Sequence, residues 1–253
     1  MSTESSVSLA SWGKVHPWFI SGFADASKKA LVVRGTNLQS TVGMKFTRKQ
    51  LATVRLPAYT KGVIVGLILS DGWLIISNSK NARLGFAQSG DHSEYFWFVF
   101  FSLSHYCSSY PRVRIRTNVL LSRKETISLQ LFTRLMPCMT ELHSLFYPEG
   151  VKIVPQNIYE LLTPVALAHV IMGDGSVQRH GLIICTNSYS VQDVVRLINV
   201  LIIRYRLKCT LRLKKRQNNK IEYMIYISQS SMPSLLNIVS PYMHPSMLYK
   251  ISK

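Results

Sequence analysis

The hydrophobic pattern is dominated by two similar runs, VIVGLILSDG at 63–72 and ALAHVIMGDG at 166–175, each an apolar helical stretch closed by Asp-Gly. Their acids, Asp71 and Asp174, stand 103 positions apart. Downstream of each lies a segment with basic residues at alternate positions: Arg112, Arg114 and Arg116 in RVRIRT, then Arg212, Lys214 and Arg216 in TLRLKKR. Side chains alternate across a strand, so each trio occupies one face, with Val113 and Ile115, or Leu211 and Leu213, on the other. A second strand-like run follows in each half, TISLQLF at 126–132 and IEYMIYIS at 221–228. Met136-Pro137 and Met232-Pro233 then lead into helical patterns, with proline where a missing N–H costs little. Features that recur in one order at nearly equal offsets describe an internal repeat.

Each half therefore reads as helix, two strands, helix, two strands, helix. In the first half, Lys61 to Ser70 is the leading helix, Leu74 to Ile76 and Leu84 to Gln88 are short strands, and Ser93 to His105 is an aromatic-rich helix. In the second, Thr163-Pro164 suits the N-cap and first turn of the motif helix. Gly181 to Thr186 reads as a strand, and Val191 to Tyr205 as an amphipathic helix with Val191, Val194, Val195, Ile198, Leu201 and Ile202 on one face. Pro148, Gly150 and Pro155 mark 148–160 as the link between a first repeat at 58–147 and a second at 161–253. Residues 1–57 stand outside the repeat as a basic extension, with eight Lys or Arg against two acids.

Composition narrows the function. The 253 residues are 47% hydrophobic and 17% charged, which argues against global disorder, and the net charge is +18. Such an excess calls for an acidic partner, of which nucleic acid is the commonest. The basic residues are spread along the chain instead of gathered on one amphipathic helix, which speaks against a membrane surface. The apolar runs Val63 to Leu69 and Tyr95 to Leu103 fall short of the roughly 20 residues that a spanning helix needs. The N-terminus carries neither a secretory pattern nor an Arg-rich presequence. Cys107, Cys138, Cys185 and Cys209 lack CxxC spacing and read as reduced thiols.

Two equivalent helices ending in Asp-Gly imply a pseudo-dyad. Small residues at their ends, Gly66 and Ser70 in one and Ala168 and Gly173 in the other, permit close approach and so bring Asp71 and Asp174 together. Neighbouring carboxylates repel unless a cation lies between them, and a hard divalent ion with oxygen preference fits that need. The basic ribbons beside the same axis suit the major groove, where Arg and Lys neutralise phosphates or read guanine.

IVGLILSDG (64–72) and LAHVIMGDG (167–175) resemble the paired motifs of the LAGLIDADG endonucleases. The likeness spans roughly residues 58–253 and includes ELLTPVALAHVIMGDGS (160–176), LIICTNSYS (182–190) and PYMHPSMLYKI (241–251), similar to the single-chain branch encoded in fungal organellar introns. It implies an α+β fold of two αββαββα repeats joined through their motif helices into a saddle. It also implies a monomeric, site-specific double-stranded DNA endonuclease that leaves short 3′ overhangs and works in the mitochondrion. Mg²⁺ is the expected cofactor, with Mn²⁺ substituting and Ca²⁺ supporting binding without cleavage. By this resemblance Asp71 and Asp174, with the carbonyls of Ser70 and Gly173, hold metal. Gln88 and Asn187 order water, Lys124 and Lys220 stand near the scissile phosphates, and Arg83 and Arg179 join the two basic trios on DNA. His169 departs from the family's usual Gly, with Gly66 opposite to make room, and Asn187 is neutral where an acid is expected.

The plainer readings are turn formation for either Asp-Gly alone, solvated surface for the basic strands, strand-end hydrogen bonding for Gln88 and Asn187, a packed helix residue for His169, and core for the aromatics of Tyr95 to Phe101. PWFISGFADAS (17–27) resembles a motif of another branch, but Asp25 lies too close to Asp71 for a full repeat and reads as a remnant. Two functional rivals remain: an RNA maturase acting on its host intron, and a DNA-binding protein without catalysis.

Overall fold

The computed structural model describes residues 41–76, 81–117, 125–215 and 221–252, and the side chains of 116, 117 and 125 are left undescribed. Ahead of the first repeat, a short helix α1 (Arg48–Thr53) begins with a capping box between Thr47 and Gln50. The first repeat then runs α2 (Ala58–Leu69), β1 (Gly72–Ile76), β2 (Ala82–Ser89), α3 (Ser93–Leu103), β3 (Arg112–Thr117), β4 (Glu125–Phe132) and α4 (Pro137–Phe146). After a four-residue helix, α5 (Ile158–Leu161), the second repeats the order: α6 (Pro164–Asp174), β5 (Gly175–Gln178), β6 (Gly181–Cys185), α7 (Val191–Tyr205), β7 (Cys209–Lys215), β8 (Ile221–Ser228) and α8 (Met232–Val239). Each repeat builds one antiparallel sheet, ordered β1-β2-β4-β3 and β5-β6-β8-β7, so the fold class and internal symmetry expected from the sequence are observed.

The motif helices form the centre. Gly62 through Leu69 of α2 are all buried, as are Val165 through Met172 of α6. A helix that is apolar around its circumference can be stable only where protein covers every face. The two run parallel: a Cβ added to Gly62 would lie 2.8 Å from Thr163 Oγ1, one on Gly66 2.4 Å from the Ala166 carbonyl oxygen, and one on Gly173 2.6 Å from Ser70 Cβ. Missing side chains at these positions let backbone meet backbone. Thr163 caps α6 by accepting from Ala166 N–H, with Pro164 in the first turn as the sequence suggests.

His169 is fully buried opposite Gly66, where its Cβ would stand 2.6 Å from a Cβ at that glycine. Its Nδ1 meets the Tyr95 hydroxyl at 2.9 Å and its ring stacks on Phe98. Burial pushes the imidazole down to about 3, so it is neutral and acts as a packing residue. The aromatics of α3 are core as read, with Tyr95, Phe96 and Phe100 buried and Trp97, Phe98 and Phe101 packed against them.

Two segments outside the repeats are firmly attached. Arg134 of the first repeat donates to the carbonyls of Thr41 and Met44 and lies over the Phe46 ring, fixing the end of the N-terminal extension. The span read as a linker, 148–160, is packed: Val154 and Ile158 are fully buried, and Val154 N–H donates to Asp193 Oδ1 of α7. All four cysteines are free, and no helix among the described residues is long and apolar enough to cross a membrane.

Candidate active site

Both motif helices end at one place. An added Cβ on Gly173 would lie 3.1 Å from Asp71 Oδ2, so the carboxylate of one repeat rests against the residue that precedes the carboxylate of the other. Burial, and then the Asp71 charge, raise the Asp174 carboxyl to about 7, with Lys152 and Lys250 opposing. Both acids also stand at helix C-termini, where the aligned peptide dipoles disfavour a further negative charge and favour a cation.

Cations already approach from both sides. Lys250 Nζ donates to the Gly173 carbonyl at 2.6 Å, and Lys152 Nζ to the carbonyls of Ser70 at 3.3 Å and Gly72 at 3.4 Å. Burial lowers the Lys152 ammonium to about 8 against the opposing pull of Asp174 and Asp71, and lowers Lys250 in the same way. The centre thus gathers two carboxylates and two backbone carbonyls, a hard-oxygen set of the kind that suits Mg²⁺. Among the described residues no group of three or more His, Cys, Asp or Glu side chains could hold a metal. The remaining ligands of such an ion would come from water or from a phosphate.

A model of the LAGLIDADG DNA endonuclease family matches residues 61–235, a span that begins in α2 and contains both acids and both sheets. The chain belongs to the LAGLIDADG DNA endonuclease family. It is 31% identical to the cytochrome b mRNA maturase bI2 of Debaryomyces hansenii over 68% of this chain, and it spans just under two thirds (65%) of that protein's length. It is 33% identical to the intron-encoded endonuclease ai4 of Dictyostelium discoideum over 61% of this chain and 97% of that one. The homing endonuclease I-WcaI, solved bound to its DNA recognition sequence, shares the fold with a TM-score of 0.71 at 24% identity, covering 81% of this chain and 89% of that one.

The LAGLIDADG motif acids expected from the sequence, Asp71 and Asp174, are thus brought together with the carbonyls of Ser70 and Gly173. Gln88, near the end of β2, joins them by donating from Nε2 to Asp71 Oδ2 at 2.5 Å. Its expected counterpart does not. Gly72 pairs with Phe86 and Gly175 with Ile184, so the residue matching Gln88 is Thr186, one position before Asn187. Asn187 is exposed in the turn beyond β6. Thr186 is buried and donates from Oγ1 to the Tyr223 carbonyl at 2.7 Å. The two halves of the centre are therefore unequal.

The basic faces form as read. Arg112 pairs across the sheet with Gln130 and Arg114 with Ser128, while Arg212 pairs with Met224 and Lys214 with Glu222. All four basic residues are exposed, as is Arg179 in the β5–β6 turn. Val113, Ile115 and Leu213 on the reverse faces are exposed too. Arg83 lies 4.4 Å over the Phe132 ring and Arg212 3.6 Å over that of Tyr226. Lys124, Lys220 and Arg216 lie outside the described residues, as do Asp25 and the side chain of Arg116. Among the described residues, the lysines that reach the LAGLIDADG centre are Lys152 and Lys250, which the sequence reading did not select. Each follows the closing α-helix of its repeat, in FYPEGVK (146–152) and PYMHPSMLYK (241–250), and that shared placement is the signal that could have exposed them.

Proposed function

We propose that the chain is a site-specific, divalent-metal-dependent endonuclease that cuts both strands of a DNA duplex and leaves short 3′ overhangs. The observation that carries this reading is the convergence of Asp71 and Asp174 at parallel helix ends, with a basic sheet in each repeat. Family membership and the name of the Dictyostelium relative support it. The ribbons of β3–β4 and β7–β8 bind flanking major grooves, with Arg112, Arg114, Arg212 and Lys214 neutralising phosphates or reading bases.

Asp71 and Asp174, with the Ser70 and Gly173 carbonyls, would hold Mg²⁺, or Mn²⁺ in its place. The ion supplies Lewis-acid stabilisation of charge on the attacking and leaving oxygens. Gln88 fixes the orientation of the Asp71 carboxylate. Lys152 and Lys250 place positive charge beside the phosphates that the centre receives, where charge develops during displacement. Monomeric action follows from two repeats in one chain. Relatives named for introns and for cytochrome b mRNA support a mitochondrial, intron-encoded setting.

The test is cleavage of a plasmid carrying the intron-less insertion site of the native gene. Cutting in Mg²⁺ that is lost in Asp71→Asn and in Asp174→Asn, with binding retained in Ca²⁺, is the expected result. Cutting that survives in both variants would overturn the assignment. The name of the Debaryomyces relative favours a second reading, a maturase whose partner is the RNA of its host intron. Splicing that persists in Asp71→Asn, with no cleavage by the parent protein, would select it.

A further inference from the structure

Carbonyls at and just beyond the C-terminal end of α2 accept from two side chains outside the helix. The last carbonyls of a helix have no partner within it. Lys152 Nζ serves those of Ser70 and Gly72, and the Tyr189 hydroxyl donates to that of Leu69 at 3.1 Å. Tyr189 belongs to the second repeat, between β6 and α7, and is 6% exposed. Burial raises its phenol well above the ordinary value, so the hydroxyl stays protonated and donates. The same ring lies beside the lysine: Lys152 Nζ stands 5.5 Å from its centroid.

The start of α7 holds both partners in place. Tyr189 N–H donates to the Thr186 carbonyl at 3.1 Å, and Ser190 caps α7 by accepting from Asp193 N–H. Asp193, itself buried, accepts from Val154 N–H at 3.1 Å. Arg196 pairs with Asp193 at 3.0 Å and donates to the Val154 carbonyl. Ile153 N–H donates to the Phe146 carbonyl at 2.8 Å. The backbone beside Lys152 and the residue carrying the ring are thus tied to the first turns of one helix. The lysine stem itself is long and flexible, so its ammonium rests where its surroundings put it.

We propose that Tyr189 is a positioning residue for Lys152: its ring seats the ammonium at the Ser70 and Gly72 carbonyls, so that the second repeat sets the cation serving the first motif helix. A cation within about 6 Å of an aromatic face is attracted to it, most strongly where water is excluded. The phenol acts through the lysine and the end of α2, without touching the acids. Among the described residues no ring lies within that reach of Lys250, the cation beside Gly173, so the seat belongs to one side of the centre. This role rests on the part in cleavage assigned to Lys152.

The test uses the full chain and a duplex target labelled on either strand. Tyr189→Leu is expected to slow single-turnover cleavage by about tenfold, the size of a desolvated cation–π contact, and to slow most the strand that Lys152→Met slows most. In the Lys152→Met background it should add little, because the group that the ring places is gone. Tyr189→Met, a second ringless variant of adaptable shape, is held to the same outcomes. Tyr189→Phe keeps the ring and loses the hydroxyl. It should lower the melting temperature, since the Leu69 carbonyl loses its donor, yet cut at a rate within about threefold of the parent. Placement is read separately, without DNA or metal, from the Cε resonances of protein carrying isotope-labelled lysine. The Lys152 resonance, identified by its loss in Lys152→Met, should move in Tyr189→Leu, where the ring current is removed, and stay in Tyr189→Phe. A resonance unmoved in Tyr189→Leu, equal slowing by the Phe and Leu variants, or the full loss reappearing in the Lys152→Met background would each overturn the positioning role. So would parent-like cutting by Tyr189→Leu beside a slowed Lys152→Met, with the lysine's part in cleavage left standing. Parent-like cutting by Lys152→Met would overturn that part and the positioning role together.

Discussion

Lys250 donates its ammonium to the carbonyl of Gly173 at 2.6 Å, immediately before the second motif acid. The matching contact in the first repeat, Lys152 to Ser70, shows that each carbonyl assigned to a metal is also one that attracts a protein cation. Lys250→Met and Lys152→Met should therefore slow cleavage by about 100-fold, the size of a typical loss of one charge-stabilising group, while duplex affinity in Ca²⁺ changes far less. Single-turnover cleavage and gel-shift titration separate the two quantities.

The pH dependence of the metal-free protein carries two opposing limbs. Asp174, at about 7 in the folded chain against an ordinary 3.8, holds a proton that the unfolded chain has lost between those values, so its share of stability falls as pH rises through that window and is flat above it. His169, at about 3 against 6.5, does the reverse: the unfolded chain binds the proton, and stability rises with pH from about 3 to 6.5. Asp174→Asn leaves the second limb alone. The stability gap between that variant and the parent should widen from pH 4 to pH 7, by at most about 1.4 kcal/mol per pH unit, and then stay constant. Urea denaturation in EDTA across that range checks it, and a gap independent of pH would refute the assigned protonation of Asp174.

Gly66→Ala places a methyl 2.4 Å from the Ala166 carbonyl oxygen and 2.6 Å from His169 Cβ. The helices must move apart, at a cost of about 1–3 kcal/mol. Reduced stability together with slower cleavage is expected, because the same movement separates the acids. Thermal unfolding and plasmid cleavage report each effect.

Much of this arrangement was legible from the sequence, and the reasons are specific. Asp71 and Asp174 stood out because a whole repeat is written around them, and alternation in RVRIRT and TLRLKKR fixed which side chains share a face. Asn187 was misplaced because the second hairpin is shorter: Gly181, with φ 145° and a Cβ position 2.1 Å from the Ile227 carbonyl oxygen, makes a turn that no counting from Asp174 foresees. Lys152 and Lys250 sit in segments without periodicity, far along the chain from the acids they approach. Their shared place after each closing helix is the one trace in the sequence, and the return of each segment to the helix ends gives that trace its meaning.

Unequal halves should leave a kinetic trace. Gln88→Ala removes the side chain that donates to Asp71 among the described residues and should slow cutting at that half by about 10- to 100-fold, as loss of a group that orients a metal ligand does. Thr186→Ala, whose hydroxyl serves the Tyr223 carbonyl, should not slow the other half to that degree. Accumulation of nicked plasmid in the Gln88 variant is the readout.

Replacing Arg112 and Arg114 by Ala should weaken duplex binding and flatten its salt dependence. Each phosphate contact removed should lower the slope of log K against log salt by about 0.9. An unchanged slope would mean that these side chains stand free in solvent or contact bases alone.

The segment 148–160 decides where this polypeptide can be divided. Val154 is tied to Asp193 and Arg196 of the second repeat, yet two residues earlier Lys152 serves Ser70 of the first. A break at the seemingly natural seam after Tyr147 would leave one fragment with both ammonium groups and the other with an acid but no cation beside it. Fission that preserves a balanced pair must fall at the entrance to the second motif helix, near Thr163, where each piece retains its own lysine.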